Sequence, residues 1–241
     1  MAITAYPDEL ADLDPFALFD TEVARCDRRF ARAASENGWD ASTGCEGWSV
    51  RDMLAHLRHS HRYDEACLTD DLSGLFAEAA EHGVTDLNSF NDWGVRTGRG
   101  RDVDGLLEEW RSVSADVRGR FRERGRDSTI PTMVGDYNLG LQALHLAFEH
   151  AVHADDMDAD VAPDERAERT GWQARFTRWT LANEKEDGAP EIEVRDGANH
   201  ISAGGSTASL SDEDLVSALT GRLKADRLPD ERLRTALRGF G

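Results

Sequence analysis

The sequence predicts a mainly α protein, a four-helix bundle followed by a small α+β domain. Three observations lead there. Four stretches between Asp14 and Asp156 carry apolar residues at helical spacing and at bundle length. Beyond Pro163 the pattern changes to short alternating runs separated by Gly-containing turns. The chain has 241 residues, 39% hydrophobic and 31% charged, which suits a globular protein of one large domain or two small ones. The boundary is expected near 163, giving domains 1–163 and 164–241.

Residues 1 to 12 read as a loose lead-in. Phe16, Phe19, Val23, Cys26 and Phe30 then define a first helix, Asp14 to Glu36, which Asn37-Gly38 should end in a left-handed C-cap. Ser49, with Asp52 three residues on, starts a second helix through Met53, Leu54 and Leu57 to Leu68. His59 and His61 on it are expected at the rim or in solvent. Leu72 to Phe76 suggests a short helix, and Asn88 to Gly100 reads as a loop. Arg96, Arg99 and Arg101 gather at its end, to face an anionic substrate or to pair with carboxylates. Val103, Leu107, Trp110, Val117 and Phe121 mark a third bundle helix, ending near Gly125. Ser128 to Gly135 reads as a loop, and a fourth helix starts near Tyr137. In the tail, a helix is expected from Asp164 to Lys185, broken at Gly188-Ala189-Pro190. Strands follow at Glu191 to Arg195, His200 to Ser202 and Thr207 to Leu210, with a hairpin turn at Asp196-Gly197. Two short helices close the chain, one capped by Ser211 and one from Asp230 to Arg238.

The chemistry concentrates in His145-Leu146-Ala147-Phe148-Glu149-His150-Ala151-Val152-His153-Ala154-Asp155-Asp156. On a helix, Glu149 and His153 stand one turn apart on one face, a spacing that suits two ligands to one metal ion. It equally suits a solvated ion pair. A catalytic site needs a third ligand from another segment, and His56, among apolar residues on the second helix, is the best candidate. Metal sites in bundles form from side chains on facing helices. Asp156, three residues after His153, could accept the free ring N–H of that histidine, hold an arginine, or simply belong to an acidic surface loop with Asp158 and Asp160. Cys45 is expected as a small buried residue packing its loop.

The net charge of −19 argues against nucleic acid and anionic membranes as partners, since both need a basic surface. No apolar run approaches the ~20 residues of a membrane span. Met1 to Leu13 holds no Lys or Arg and no apolar stretch of the secretory kind, so the expected location is the cytoplasm. Three scattered cysteines give no disulfide framework.

Gly44-Cys45-Glu46-Gly47-Trp48-Ser49-Val50-Arg51-Asp52-Met53-Leu54-Ala55-His56-Leu57 resembles the Trp-Ser/Thr-Val-Arg-Asp…Ala-His-Leu signature of the mycothiol-dependent maleylpyruvate isomerase family, within the DinB superfamily. Glu149-x-x-x-His153-x-x-Asp156 is similar to that family's second motif. The resemblance covers roughly residues 14 to 160. More weakly, the tail through Leu219-Thr220-Gly221-Arg222 is similar to the small C-terminal domain of these enzymes, of sterol-carrier type. It implies a DinB-like four-helix bundle, a divalent metal (usually zinc) held by His56, Glu149 and His153, and often a low-molecular-weight thiol such as mycothiol as cosubstrate. The substrate is not carried over.

Three protein ligands on zinc leave an open position, where a bound thiol or water loses its proton near neutral pH. The expectation is therefore a thiol-dependent isomerase or transferase acting on a small electrophile. The alternatives are a metal-dependent hydrolase using bound water, or a non-catalytic metal- or thiol-binding stress protein. Asp156 and Arg222 are the expected catalytic side chains, Arg222 as a fixed positive charge for an anionic substrate unless it pairs with a surface carboxylate. The site is expected to open on a cleft walled by segment 70–100 and the C-terminal domain. The protein is expected to act as a monomer or homodimer on a small-molecule substrate.

Overall fold

The computed structural model describes residues 3–184 and 189–239. The chain divides into two compact units, Met1–Asp160 and Val161–Gly241. It is mainly helical, with two small antiparallel sheets among the described residues.

In the first unit the long helices are α1 (Pro15–Glu36), α2 (Val50–Thr69), α5 (Val103–Arg124) and α6 (Leu139–Asp156). Their ends are set locally. Asp14 caps α1 by accepting from the Phe16 and Ala17 amides, and Asn37 stops it at φ 55°. Ser49 and Asp52 form a reciprocal capping box at the start of α2. Asn138 caps α6 through the Leu141 amide. Phe19, Phe30, Met53, Leu54, Leu57, Trp110, Phe121 and Leu144 are fully buried between these helices. α1 packs closely on α6, and α2 on α5. α2 and α6 meet through long polar side chains instead, and that seam carries the site.

Between α2 and α5 lie α3 (Leu72–Glu81) and α4 (Leu87–Arg99). The loop expected at 88–100 is thus a helix, opened by a capping box between Asp86 and Ser89. Its glycines are not breakers. A Cβ at Gly94 would collide with the His59 ring, and one at Gly98 with Ala55, so both glycines let α4 lie directly on α2. That covering helix also buries His59, at 7% exposure, and the α1–α5–α6 core buries His61 completely. Neither is a rim residue, as the sequence alone had them. The expected loop 128–135 is mostly hairpin, β1 (Thr129–Thr132) with β2 (Gly135–Asn138), and α6 starts only after it. The lead-in is not loose either. Ile3 bridges to Tyr137, Leu10 is buried, and the Arg126 guanidinium lies 4.7 Å over the Tyr6 ring.

The acidic end of α6 is answered from α1. Arg25 Nη1 donates to the Asp160 carbonyl at 2.7 Å, Arg29 Nε to the Met157 carbonyl at 2.7 Å, and Arg32 Nη1 to the Asp160 carboxylate at 2.7 Å. Three guanidinium groups one turn apart thus bring positive charge to the C-terminal end of α6, two by satisfying main-chain carbonyls and one by pairing with a carboxylate.

The second unit consists of α7 (Pro163–Asn183), the sheet β3 (Glu191–Arg195), β4 (Ala198–Ala203), β5 (Ser206–Leu210), and helices α8 (Asp212–Leu219) and α9 (Glu231–Leu237). The predicted hairpin forms: Arg195 pairs with Ala198 around Asp196 (φ 51°) and Gly197 (φ 74°), a two-residue turn that needs positive φ at both positions. Gly204 and Gly205 repeat the device before β5. Phe176, Leu181, Ile201, Leu215, Leu219 and Leu237 form its core. Lys185 and Gly188, the predicted end and break of α7, lie outside the described residues.

Candidate metal centre

α2 and α6 bring His56, Glu149 and His153 together. His56 Nε2 lies 3.1 Å from Glu149 Oε1 and 3.1 Å from His153 Nε2. One ligand atom from each residue falls in a cluster with all separations under 4.8 Å. The three differ in exposure: the His56 side chain is 4% exposed, that of His153 12% and that of Glu149 30%, so the cluster opens to solvent on the Glu149 side.

Neighbours fix each member. Ser60 Oγ, one turn after His56 on α2, donates to Glu149 Oε1 at 3.0 Å. Asp156 Oδ2 and His153 Nδ1 are 2.9 Å apart, which assigns the proton to Nδ1 and leaves Nε2 with its lone pair toward the cluster. The Cys45 thiol also donates to Asp156 Oδ2, at 3.3 Å. The half-buried Trp48 ring lies 5.1 Å from the His56 ring.

Electrostatics follow from this packing. Burial alone would push the Glu149 carboxyl up, but the hydrogen bond with His56, helped by the His56 and His153 imidazoles beside it, outweighs it. The carboxyl is held well below the usual carboxylate range. Burial depresses His153 below the ordinary imidazole value, against the raising effect of its bond to Asp156.

The donor set fits a divalent cation. Ligands about 2.0–2.1 Å from a tetrahedral zinc lie roughly 3.3 Å from one another, close to the separations found. Two imidazole Nε2 atoms facing each other beside a carboxylate make an unfavourable meeting of lone pairs unless a proton or a cation lies between them.

Of the other residues singled out from sequence, Asp156 sits against His153 as described. Arg222 lies just after α8 in the second unit, exposed, with Nη1 donating to the Thr220 carbonyl at 2.8 Å. Arg99 holds Asp52 at 2.8 Å and Arg101 pairs with Glu109, so these two serve carboxylates. Cys45 is half-buried and turned toward Asp156 rather than packed away. Ser60 and Trp48 were not singled out from sequence as site residues. The signal for Ser60 was its place four residues after His56, on the same helix face.

Residues 19–158 match the family described as the mycothiol maleylpyruvate isomerase N-terminal domain. The chain belongs to that family. Two solved structures share the fold. The crystal structure of a mycothiol-dependent maleylpyruvate isomerase aligns with TM-score 0.60 and 14% identity over 86% of this chain and 88% of that one. A histidine-to-alanine mutant of such an isomerase aligns with TM-score 0.59 and 14% identity over 88% and 89%. No curated protein matches the sequence. The family match spans both cluster segments, since His56, Glu149 and His153 all fall within it. No helix among the described residues is long and apolar enough to cross a membrane.

Proposed function

We propose that this protein is a metal-dependent enzyme of the mycothiol-dependent maleylpyruvate isomerase type, using a low-molecular-weight thiol to attack a small electrophile. The observation that carries the reading is the convergence of His56 Nε2, Glu149 Oε1 and His153 Nε2 on one point of the α2–α6 seam. Family membership and the solved relatives, both of mycothiol-dependent isomerases, support the choice of thiol.

Zinc held by these three residues would keep one coordination position open and lower the pKa of a thiol or water placed there. The protein's own groups do the rest. Glu149 supplies the negative charge that balances the cation. Ser60 fixes that carboxylate, and Asp156 fixes the ring of His153 and its tautomer. Trp48 shields the His56 side of the cluster, which leaves the Glu149 side for thiol and substrate. The thiol sulfur adds to a conjugated double bond of the substrate, the resulting single bond rotates, and the same thiol is expelled. The thiol is thus recovered unchanged in an isomerisation and retained in a transfer. Arg222 enters this proposal only as an exposed positive charge that attracts anionic substrates to a chain carrying −19. Arg222→Ala should then raise KM for such a substrate and leave kcat nearly unchanged.

The test is calorimetric titration of mycothiol into zinc-loaded and metal-free protein, followed by a maleylpyruvate isomerisation assay. The proposal expects thiol binding that depends on zinc. Zinc binding without thiol affinity would favour water-based hydrolysis or a non-catalytic binding protein. Failure to bind zinc would refute the reading.

A further inference from the structure

A second group of ligating atoms shares His153. Cys45, His153 and Asp156 each offer one ligand atom, and these lie within 4.8 Å of one another. They meet on the opposite side of the imidazole from His56, at Nδ1 rather than Nε2.

The loop before α2 is built to hold Cys45 there. The Gly44 amide donates to the Asp156 carbonyl at 2.7 Å, and a Cβ at position 44 would run into the Asp156 carboxylate. Glycine is what lets the loop approach the end of α6 so closely. Thr43 Oγ1 accepts from the Cys45 amide at 3.2 Å and donates to the Trp48 carbonyl at 3.0 Å, which closes the loop on itself. The result is one carboxylate oxygen, Asp156 Oδ2, taking a thiol proton at 3.3 Å and an imidazole proton at 2.9 Å. A single cation in place of those two protons would turn all three groups into ligands.

A thiolate, an imidazole and a carboxylate make a softer donor set than two imidazoles and a carboxylate, so it selects thiophilic cations. We propose that Cys45, Asp156 and His153 form a second cation site, specific for thiophilic metals and exclusive of occupancy at His56/Glu149/His153. Exclusivity follows from His153. A neutral imidazole carries one lone pair, on Nε2 while Nδ1–H faces Asp156, and on Nδ1 once that proton has moved to Nε2. Binding of a divalent cation at the second site therefore takes Cys45 as thiolate, releases one proton to solvent, and shifts the other from Nδ1 to Nε2 of His153. A thiophilic metal would in this way disarm the first site by removing one of its ligands. The second site stands on its own geometry, and only the competition rests on the proposed function.

Cadmium serves as the probe. Metal-free protein is titrated with Cd(II), and the ultraviolet thiolate-to-cadmium charge-transfer band is followed. Cys26 and Cys67 are at most 1% exposed, so Cys45 is the half-exposed thiol that can answer. The proposal expects the band to saturate at one equivalent in the wild type and to vanish in Cys45→Ser. It also expects zinc-loaded wild type to release one zinc per cadmium bound, while Cys45→Ser keeps its zinc at the same cadmium concentration. No band in the wild type, or the same band in Cys45→Ser, would overturn the site. A band with zinc retained would overturn the exclusivity. A band in a protein that never binds zinc would leave the second site standing and remove the proposed function instead.

Discussion

Two histidine–carboxylate clusters sit along the same seam, and they behave in opposite ways. The outer one is His56, Glu149 and His153. The inner one is His61, Asp64 and His150, all fully buried. In the outer cluster three ligand atoms converge, one side is open, and the carboxylate is held charged. In the inner cluster His61 Nδ1 lies 3.3 Å from Asp64 Oδ2, Gln142 donates to Asp64 Oδ1 at 3.1 Å, and the His150 ring nitrogen Nδ1 faces its own helix at the Leu146 carbonyl. Burial drives His61 and His150 down to about 3 and raises Asp64 well above the usual carboxylate range. At neutral pH the two inner histidines are therefore uncharged, and Asp64 is biased toward its neutral form. The same residue types on the same two helices become ligand candidates where their lone pairs converge near water, and hydrogen-bonded core where they do not.

The comparison breaks if the two clusters can be exchanged in their effects. The largest effect expected is on metal binding. His153→Ala should lose stoichiometric zinc while its far-ultraviolet circular dichroism matches the wild type, because Trp110, Leu54 and Leu144 rather than a metal supply the core. An unfolded His153→Ala protein would make the outer cluster structural. Next comes the inner cluster. His61→Ala leaves a cavity against Phe19 and strips Asp64 of a partner, which should cost about 2–4 kcal/mol in urea denaturation with zinc stoichiometry kept.

The third effect is on pH. His61 and His150 stay neutral in the fold down to about 3 and His59 to about 4, whereas the unfolded chain takes up protons near 6.5. Their contribution to stability is complete above that value and falls as pH drops through the window from 6.5 toward 4. Each contributes a slope of at most about 1.4 kcal/mol per pH unit. Asp64 acts in the opposite sense, adding stability at acid pH that is lost as pH rises through its raised value. Denaturation midpoints measured from pH 7 to 5 should therefore fall, and fall less steeply in His61→Ala. The smallest effect is Ser60→Ala, which frees Glu149 of one hydrogen bond and should weaken zinc about tenfold in a chelator competition, with little change in stability.

The sequence showed the outer cluster and hid the inner one for a physical reason. Glu149 and His153 share a helix, so their spacing is visible as i, i+4, and His56 sits in a motif with its own capping signal. The burial of His61 depends on α1, α5 and α6 closing around it, and the burial of His59 on α4 lying across α2. None of that is local. α4 itself was obscured, because Asn88 to Gly100 reads as a loop in sequence, whereas Gly94 and Gly98 within it act as contact points in the fold. The short strands β1 and β2 were lost because the four-residue runs around Pro131 and Gly135 carry no alternation, and Tyr137 pairs in the hairpin rather than starting a helix. The C-terminal strands were legible because Asp196-Gly197 and Gly204-Gly205 mark two-residue turns. Cys45 illustrates the limit of reasoning from residue type: its hydrogen bond to Asp156 spans 111 positions.

The most direct test of the metal centre is zinc-edge X-ray absorption on protein loaded with one equivalent of zinc, repeated on Glu149→Gln and His56→Ala. The account predicts a first shell of two imidazole nitrogens and oxygen ligands at about 2.0–2.2 Å with no sulfur, and loss of one imidazole in His56→Ala. A zinc–sulfur distance near ~2.3 Å in the wild type, or a spectrum unchanged by His56→Ala, would contradict it.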